Sequence, residues 1–238
     1  PPSGGDERLS IGGCYVIENL KKNPIKNIYL GNSIHQTTYK TIQKIFKNKK
    51  FIIQKNINHK YIANLLNRNE IIAVARDREE FGARALGNRS IIANPSNNQI
   101  IKKINEQIKN RDFWMPFALT ILKDHHKNYL INPKNINSEF MTVAMNTLIK
   151  NYFKISAGSH QYDKTIRPQI LSKEYNPNFY NIIREFMKKS KIPAVLNTSL
   201  NLHGLPIASN INDIFEVFDK SSLKYLYLND NYLIKKND

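Results

Sequence analysis

The run Ile71-Ile72-Ala73-Val74-Ala75 constrains the fold of this chain more than any other stretch. Five apolar residues in succession, with no polar alternation, suit a strand buried on both faces. Helical spacing precedes it at Tyr61, Ile62, Leu65 and Leu66 and recurs from Asn97 to Lys109, where Ile100, Ile101, Ile104 and Ile108 share a face. Further helices are expected over Glu7–Leu20, Thr38–Phe46, Asn178–Lys189 and Ile211–Phe218. Strands are expected at Ile28–Leu30, Phe51–Ile53, Ser90–Ala93, Phe117–Leu122, Phe140–Met145 and Ala194–Leu196, with Tyr225–Leu228 and Tyr232–Ile234 as a terminal pair. Strands and helices intermix without strict alternation. The expected class is therefore α/β, a mixed, twisted open sheet with flanking helices, and no internal repeat is visible.

With 238 residues, 41% of them hydrophobic, the chain has material for one domain of ordinary size and a smaller piece. The formal charge of +17 invites a nucleic-acid reading. Lysine is, however, scattered among abundant isoleucine and asparagine, the mark of a general compositional bias rather than of a selected basic face. Nucleic acid is not the expected partner, whereas anionic small substrates fit the charge. Cys14 is the single cysteine, which excludes an intrachain disulfide and a cysteine-rich zinc site and makes a cytoplasmic location the expectation. No apolar run reaches the roughly 18 residues of a membrane span, so no membrane partner is expected. The chain opens on Pro1-Pro2-Ser3-Gly4-Gly5-Asp6, which reads as an interior loop and as the start of a fragment.

Three polar clusters follow expected strands or helices, where a scaffold presents functional loops. The first is Glu80–Ser90, EFGARALGNRS, with Arg84 and Arg89 as cations, Asn88 between them, and Gly82 and Gly87 permitting backbone that a side chain would block. The second is Lys109-Asn110-Arg111 at the end of the isoleucine helix, where two cations can also simply cap a helix C-terminus. The third is Asn197-Thr198-Ser199-Leu200-Asn201, whose amides and hydroxyls can bond phosphate or ribose oxygens, or form a turn. Arg167 adds a cation in an extended segment set by Pro168. Several guanidinium forks, one ammonium and neutral donors suit a substrate with more than one phosphoryl group. No nucleophile is evident: Ser90 and Ser199 have no partner base by spacing, His125-His126 reads as surface, and His35, His59, His160 and His203 are isolated.

Glu80–Pro95, EFGARALGNRSIIANP, closely resembles the signature of the nodulation-factor and antibiotic O-carbamoyltransferases, usually EFGPRALGNRSILADP. The likeness extends to 104–117, to Asp163-x-Thr165-x-Arg167-Pro168-Gln169 and to Leu196–Asn201 with Gly204, Pro206 and Ile207, in the expected order. The resemblance implies a C-terminal domain similar to threonylcarbamoyl-adenylate synthases, a YrdC-like fold, over 33–238. Residues 1–32 would then be the end of an actin-like transferase domain. It also implies that carbamoyl phosphate and ATP, with magnesium, give carbamoyl-adenylate and pyrophosphate, the carbamoyl group then passing to a hydroxyl of a glycan or natural-product acceptor. Lys109-x-Arg111 and Ser199-x-Asn201 match the synthase signature, which makes Lys109 and Arg111 the catalytic candidates. Arg84, Asn88, Arg89, Arg167, Asn197, Ser199 and Asn201 become the candidates for binding carbamoyl phosphate and the nucleotide.

Asp6 matches an aspartate that in the family ligates a metal, generally iron, with two histidines of an upstream His-x-x-x-His; these histidines are not in this chain. As a local feature Asp6 reads as an N-cap ahead of Glu7. The chain departs from the usual pattern at Ala83, Met115, Gln161, Lys164 and Leu205, where proline, arginine, histidine, glycine and glutamate are customary. An inactive homologue and an RNA-binding module of the same fold are the alternatives.

Overall fold

The computed structural model describes residues 5–18, 25, 27–47, 50–110, 112 and 115–237. The expected strands at 51–53, 71–75, 90–93, 117–122 and 194–196 form, within a residue or three, as β1 (Phe51–Gln54), β2 (Ile72–Ala75), β3 (Arg89–Ala93), β4 (Ala118–Leu122) and β9 (Ala194–Ser199). Short strands β5 (Leu130–Ile131), β6 (Met145–Thr147), β7 (Thr165–Ile166) and β8 (Pro168–Leu171) lie between β4 and β9. The terminal pair is β10 (Tyr225–Leu228) and β11 (Tyr232–Lys236). Eight of these strands make one sheet in the order β1-β11-β10-β2-β3-β9-β4-β8, while β5, β6 and β7 make a second, three-stranded sheet. In the large sheet β10–β2 and β4–β8 are parallel and the other pairs antiparallel, so the sheet is mixed.

Local signals start most of the helices. Thr38 and Asn58 accept from the N–H three residues on, at 3.2 and 3.0 Å, and open α2 (Tyr39–Ile45) and α3 (His59–Asn67). Asn176 with Pro177 opens α5 (Pro177–Ser190), and a capping box of Asn210 and Asp213 opens α6 (Ile211–Lys220). The sheet separates two cores. On one face α3 and α5 bury Ile62, Leu66, Phe179 and Phe186 against Ile72, Val74, Ile92 and Val195. On the other, Ile42, Ile100, Ile104, Val217 and Phe218 cover Ala73, Ile91, Leu196 and Leu226. Each fully buried side chain of this kind contributes about 1.5–3 kcal/mol. The unbroken apolar run of β2 is thus explained: its alternate residues face two different cores.

Four expectations are corrected. Helix α1 (Glu7–Ile17) stops short of Glu18, residues 19 and 20 of the expected helix lying outside the described ones, and leaves Leu9, Val16 and Ile17 more than 70% exposed. Residues 28–30 form no strand of either sheet. They are extended beside 77–81 through Phe81 N–H to Ile28 O at 2.7 Å, Gly31 N–H to Glu79 O at 3.0 Å and Ile34 N–H to Asp77 O at 3.0 Å. Of Phe140–Met145 only Met145 is strand, because Met141 turns to φ +56° and buries its side chain with Ile28, Leu86 and Ala118. The isoleucine helix is α4 (Gln99–Ile104) followed by a π-turn, Asn105–Lys109.

Candidate functional site

The Gly-Arg loop leaves β2, returns as β3, and is wound on one buried carboxylate. Glu80 Oε1 accepts the N–H groups of Leu86, Asn88 and Arg89 at 2.6, 2.8 and 3.3 Å. Burial pushes this carboxyl up from its ordinary range, against the pull of those N–H donors. Tyr29 Oη donates to Leu86 O at 2.9 Å, and Asn176 Nδ2 donates both to Tyr29 Oη and to Asn88 Oδ1 at 3.0 Å. The amide that caps α5 therefore also holds the loop. Gly87, at φ +114°, lies so close to α5 that a Cβ would stand 2.3 Å from Phe179 Cδ1. Gly87→Ala is expected to lower stability by about 3 kcal/mol, and Tm by about 6–12 °C, in a thermal melt. An unchanged Tm would contradict this packing.

The two arginines of the loop do different things. Arg89 is 0% exposed, and its Nε, Nη1 and Nη2 donate to the carbonyls of Arg76, Asn88, Asn32, Asp77 and Ser209 at 2.6–3.3 Å. Burial lowers its guanidinium from the usual range, with Glu80 opposing. All of its donors go to main chain. Arg84 is exposed and lines two adjoining cavities. Asn88, like Arg89, is turned inward, donating to Arg78 O at 2.7 Å.

The smaller cavity, about 50 Å³, is lined by Arg84, Phe117, Arg167, Asn197, Thr198 and Ser199 among others. The larger, about 540 Å³, shares Arg84, Pro116, Phe117 and Arg167 with it and adds Met115, His160, Asp163 and Thr165. Both arginines thus stand on the shared wall, brought there by loop 80–88 and by the link between β7 and β8. Behind the small cavity runs a buried polar chain. Gln169 Nε2 donates to Leu86 O at 3.2 Å, Thr120 Oγ1 donates to Gln169 Oε1 at 2.8 Å, and Asn197 Nδ2 donates to Thr120 Oγ1 at 2.9 Å and Ala85 O at 3.2 Å. Strands β4, β8 and β9 are in this way tied to the loop that carries Arg84.

Lys109 is not a helix cap. The π-turn brings its side chain to the interior next to buried Ile108, leaving it 1% exposed. Its ammonium donates to Ser199 O and Oγ at 2.5 and 3.2 Å and to Asn201 Oδ1 and O at 2.6 and 3.2 Å. Ser199 Oγ donates in turn to Asn201 Oδ1 at 2.6 Å. Two motifs ninety residues apart in the chain are thereby joined, and Lys109 stands behind Ser199 rather than in the cavity lining. Arg111 lies outside the described residues.

Asp6 is exposed at the start of α1, and its side chain makes no capping hydrogen bond, contrary to the N-cap expectation. Among the described residues no group of three His, Cys, Asp or Glu could hold a metal ion, so these residues alone do not fit an iron site. Spacing also concealed Glu80, Thr120 and Gln169, whose roles rest on contacts across the sheet. The His160–Asp163 pair was hidden for a simpler reason, a turn between its members.

The sequence model of the carbamoyltransferase C-terminus matches residues 63–236, well over half of the chain, including Arg84, Lys109, Arg167 and Ser199. The chain belongs to the carbamoyltransferase C-terminal family. This carbamoyltransferase-family chain is 41% identical over 242 residues to the uncharacterised protein MJ1051 of Methanocaldococcus jannaschii, covering 99% of this chain and 46% of that protein. It is 31% identical to the nodulation protein NolO of Bradyrhizobium diazoefficiens over 70% of this chain and 30% of that protein. It therefore spans less than half the length of either relative. Among solved structures, full-length HypF in its phosphate- and nucleotide-bound form superposes with a TM-score of 0.54 at 18% identity, over 73% of this chain and 25% of that one. That likeness is one of fold, the YrdC-like mixed sheet with flanking helices. No described helix is long and apolar enough to cross a membrane.

Proposed function

We propose that this chain is the carbamoyl-adenylate-forming part of an O-carbamoyltransferase, with residues 1–32 the end of its transferase domain. The observation that carries the reading is the shared wall: Arg84 and Arg167, from two separate motifs, stand between a cavity of about 50 Å³ and one of about 540 Å³. The carbamoyl end of a donor suits the smaller cavity and a nucleotide the larger, and their phosphates would meet at two guanidinium forks. Mass balance fixes the overall step. Carbamoyl phosphate, ATP and one water give carbamoyl-adenylate, pyrophosphate and inorganic phosphate, with a carbamate oxygen bonded to the α-phosphorus as pyrophosphate leaves.

Such a step needs positioning and charge stabilisation rather than a protein nucleophile. The hydroxyls agree with this: Ser199 Oγ is held between Lys109 and Asn201, and Ser90 Oγ accepts from Gly87 N–H at 3.0 Å. In this reading Arg84 and Arg167 bind the phosphates, Thr198, Ser199 and Asn197 line the carbamoyl end, and Lys109 charges and orients the Ser199 wall. Asn88 and Arg89 hold the loop instead of the ligand. Arg111, Asn201 and magnesium belong to the same proposal, the metal arriving with the nucleotide. The acceptor is a hydroxyl-bearing glycan or natural product recognised outside this region.

Arg84 is exposed, so Arg84→Ala is expected to leave the ligand-free Tm within about 2 °C. The same change should abolish most of the Tm increase given by ATP and magnesium, because a ligand of the folded state stabilises it in proportion to its binding. A variant shifted by ATP as strongly as the wild type would remove Arg84 from the site.

A further inference from the structure

The larger cavity holds a histidine and aspartate pair that the reading above does not use. His160 Nδ1 lies 3.1 Å from Asp163 Oδ1, and the same oxygen accepts the N–H and Oγ1 of Thr165, both at 2.8 Å. Those two Thr165 donors, then His160, hold the Asp163 carboxyl below its ordinary range, so it is an anion beside the ring. The turn is fixed by main chain at both ends, His160 N–H to Thr165 O at 2.8 Å and Lys164 N–H to His160 O at 3.0 Å. Nδ1 is engaged with Asp163 twice, accepting its N–H at 3.4 Å and lying beside its carboxylate, which leaves Nε2 as the ring nitrogen offered to the cavity. Neighbouring Gln161 is engaged elsewhere, donating to Ser156 O at 2.9 Å and Ser159 O at 3.2 Å.

The charges around the pair favour one use of it. Arg84 and Arg167 face the same cavity, Asp163 is on the turn itself, and Lys164 is drawn over the Tyr152 ring at 5.5 Å. We propose that His160, gripped by Asp163, is a titratable ligand for a phosphoryl group in the larger cavity, adding a third, pH-dependent cation to Arg84 and Arg167. It rests on the phosphate-binding reading of those arginines. The imidazolium form donates from both nitrogens, one to Asp163 and one to the anion, and deprotonation removes a charge next to the ligand. Anion binding then strengthens as pH falls and weakens as it rises.

The test is calorimetric titration of the chain with sulfate, whose charge is constant over that range, and with inorganic phosphate. Wild type, His160→Gln and Asp163→Asn are compared at pH of about 6 and 8. His160→Gln is expected to bind sulfate roughly five-fold more weakly than wild type at the lower pH, with little pH dependence left. Asp163→Asn should fall between the two, and melts at each pH establish that all three proteins are folded. If His160→Gln keeps both the affinity and the pH slope of the wild type, the role of His160 is overturned while the arginine site stands. Failure of folded wild type to bind sulfate, phosphate or ATP would overturn both.

Discussion

Lys109→Ala is expected to reduce carbamoyl-adenylate formation by about 10²–10³-fold, an effect of the size produced by losing a preorganised charge at a reacting centre. The ammonium sits among four oxygens of Ser199 and Asn201. Ser199 Oγ then keeps only Asn201 among the described partners, and the wall of the small cavity loses its positive backing. Loss of these partly buried, charge-assisted hydrogen bonds costs about 2 kcal/mol of stability, Ser199 O keeping the Asn201 N–H. Single-turnover formation of the adenylate in folded variant protein reads the first effect, and a urea titration the second. Lys109→Arg does not restore the rate, because a planar fork cannot reach oxygens gathered round one point. Equal rates for wild type and Lys109→Ala would show that the joined motifs are scaffolding alone.

The second large effect is on folding. Arg89→Met removes a guanidinium that gathers five main-chain carbonyls from the 28–34 segment, the two residues after β2, its own loop and the entry to α6. Asn32, Asp77 and Asn88 O each keep a main-chain N–H, whereas Arg76 and Ser209 O lose the guanidinium donors, and Glu80 loses its opposite charge. The expected loss is about 3–5 kcal/mol, a large part of the total stability of an ordinary domain. Tm should fall by about 10 °C or more, or the protein should be recovered unfolded. The contrast with Arg84→Ala is the informative part. Two arginines five residues apart in one motif are expected to fail in opposite assays, one in melting and the other in binding. A Tm for Arg89→Met within a few degrees of the wild type would contradict the buried network.

The legible part of this fold is whatever depends on periodicity. The four buried apolar residues of β2 and the i, i+3, i+4, i+7 pattern of α5 mark elements whose burial is set by simple periodicity, and the structure places them as read. Elements set by non-local contacts were not legible. Phe140–Met145 looks like a strand by composition, but Met141 bends to fill a third, small cluster with Ile28 and Leu86. The π-turn at Asn105–Lys109 carries no signature that distinguishes it from the end of an α-helix, yet it decides whether Lys109 caps a helix or enters the interior.

The site followed the same division. Which segments converge could be read from the motifs, since their order and residue types are specific. What each side chain does could not, because Arg84 and Arg89 have the same chemistry and differ only in which way the loop turns them around Glu80. His160 reads as isolated in sequence because its partner is three residues on, across a turn held by Thr165.

The most direct test of the central claim is exchange of labelled pyrophosphate into ATP by this chain with magnesium. Carbamoyl-phosphate-dependent exchange, lost in Lys109→Ala and in Arg84→Ala, is the predicted result. Exchange that ignores carbamoyl phosphate, or none in folded protein that binds ATP, would contradict the assignment of adenylate formation to this region.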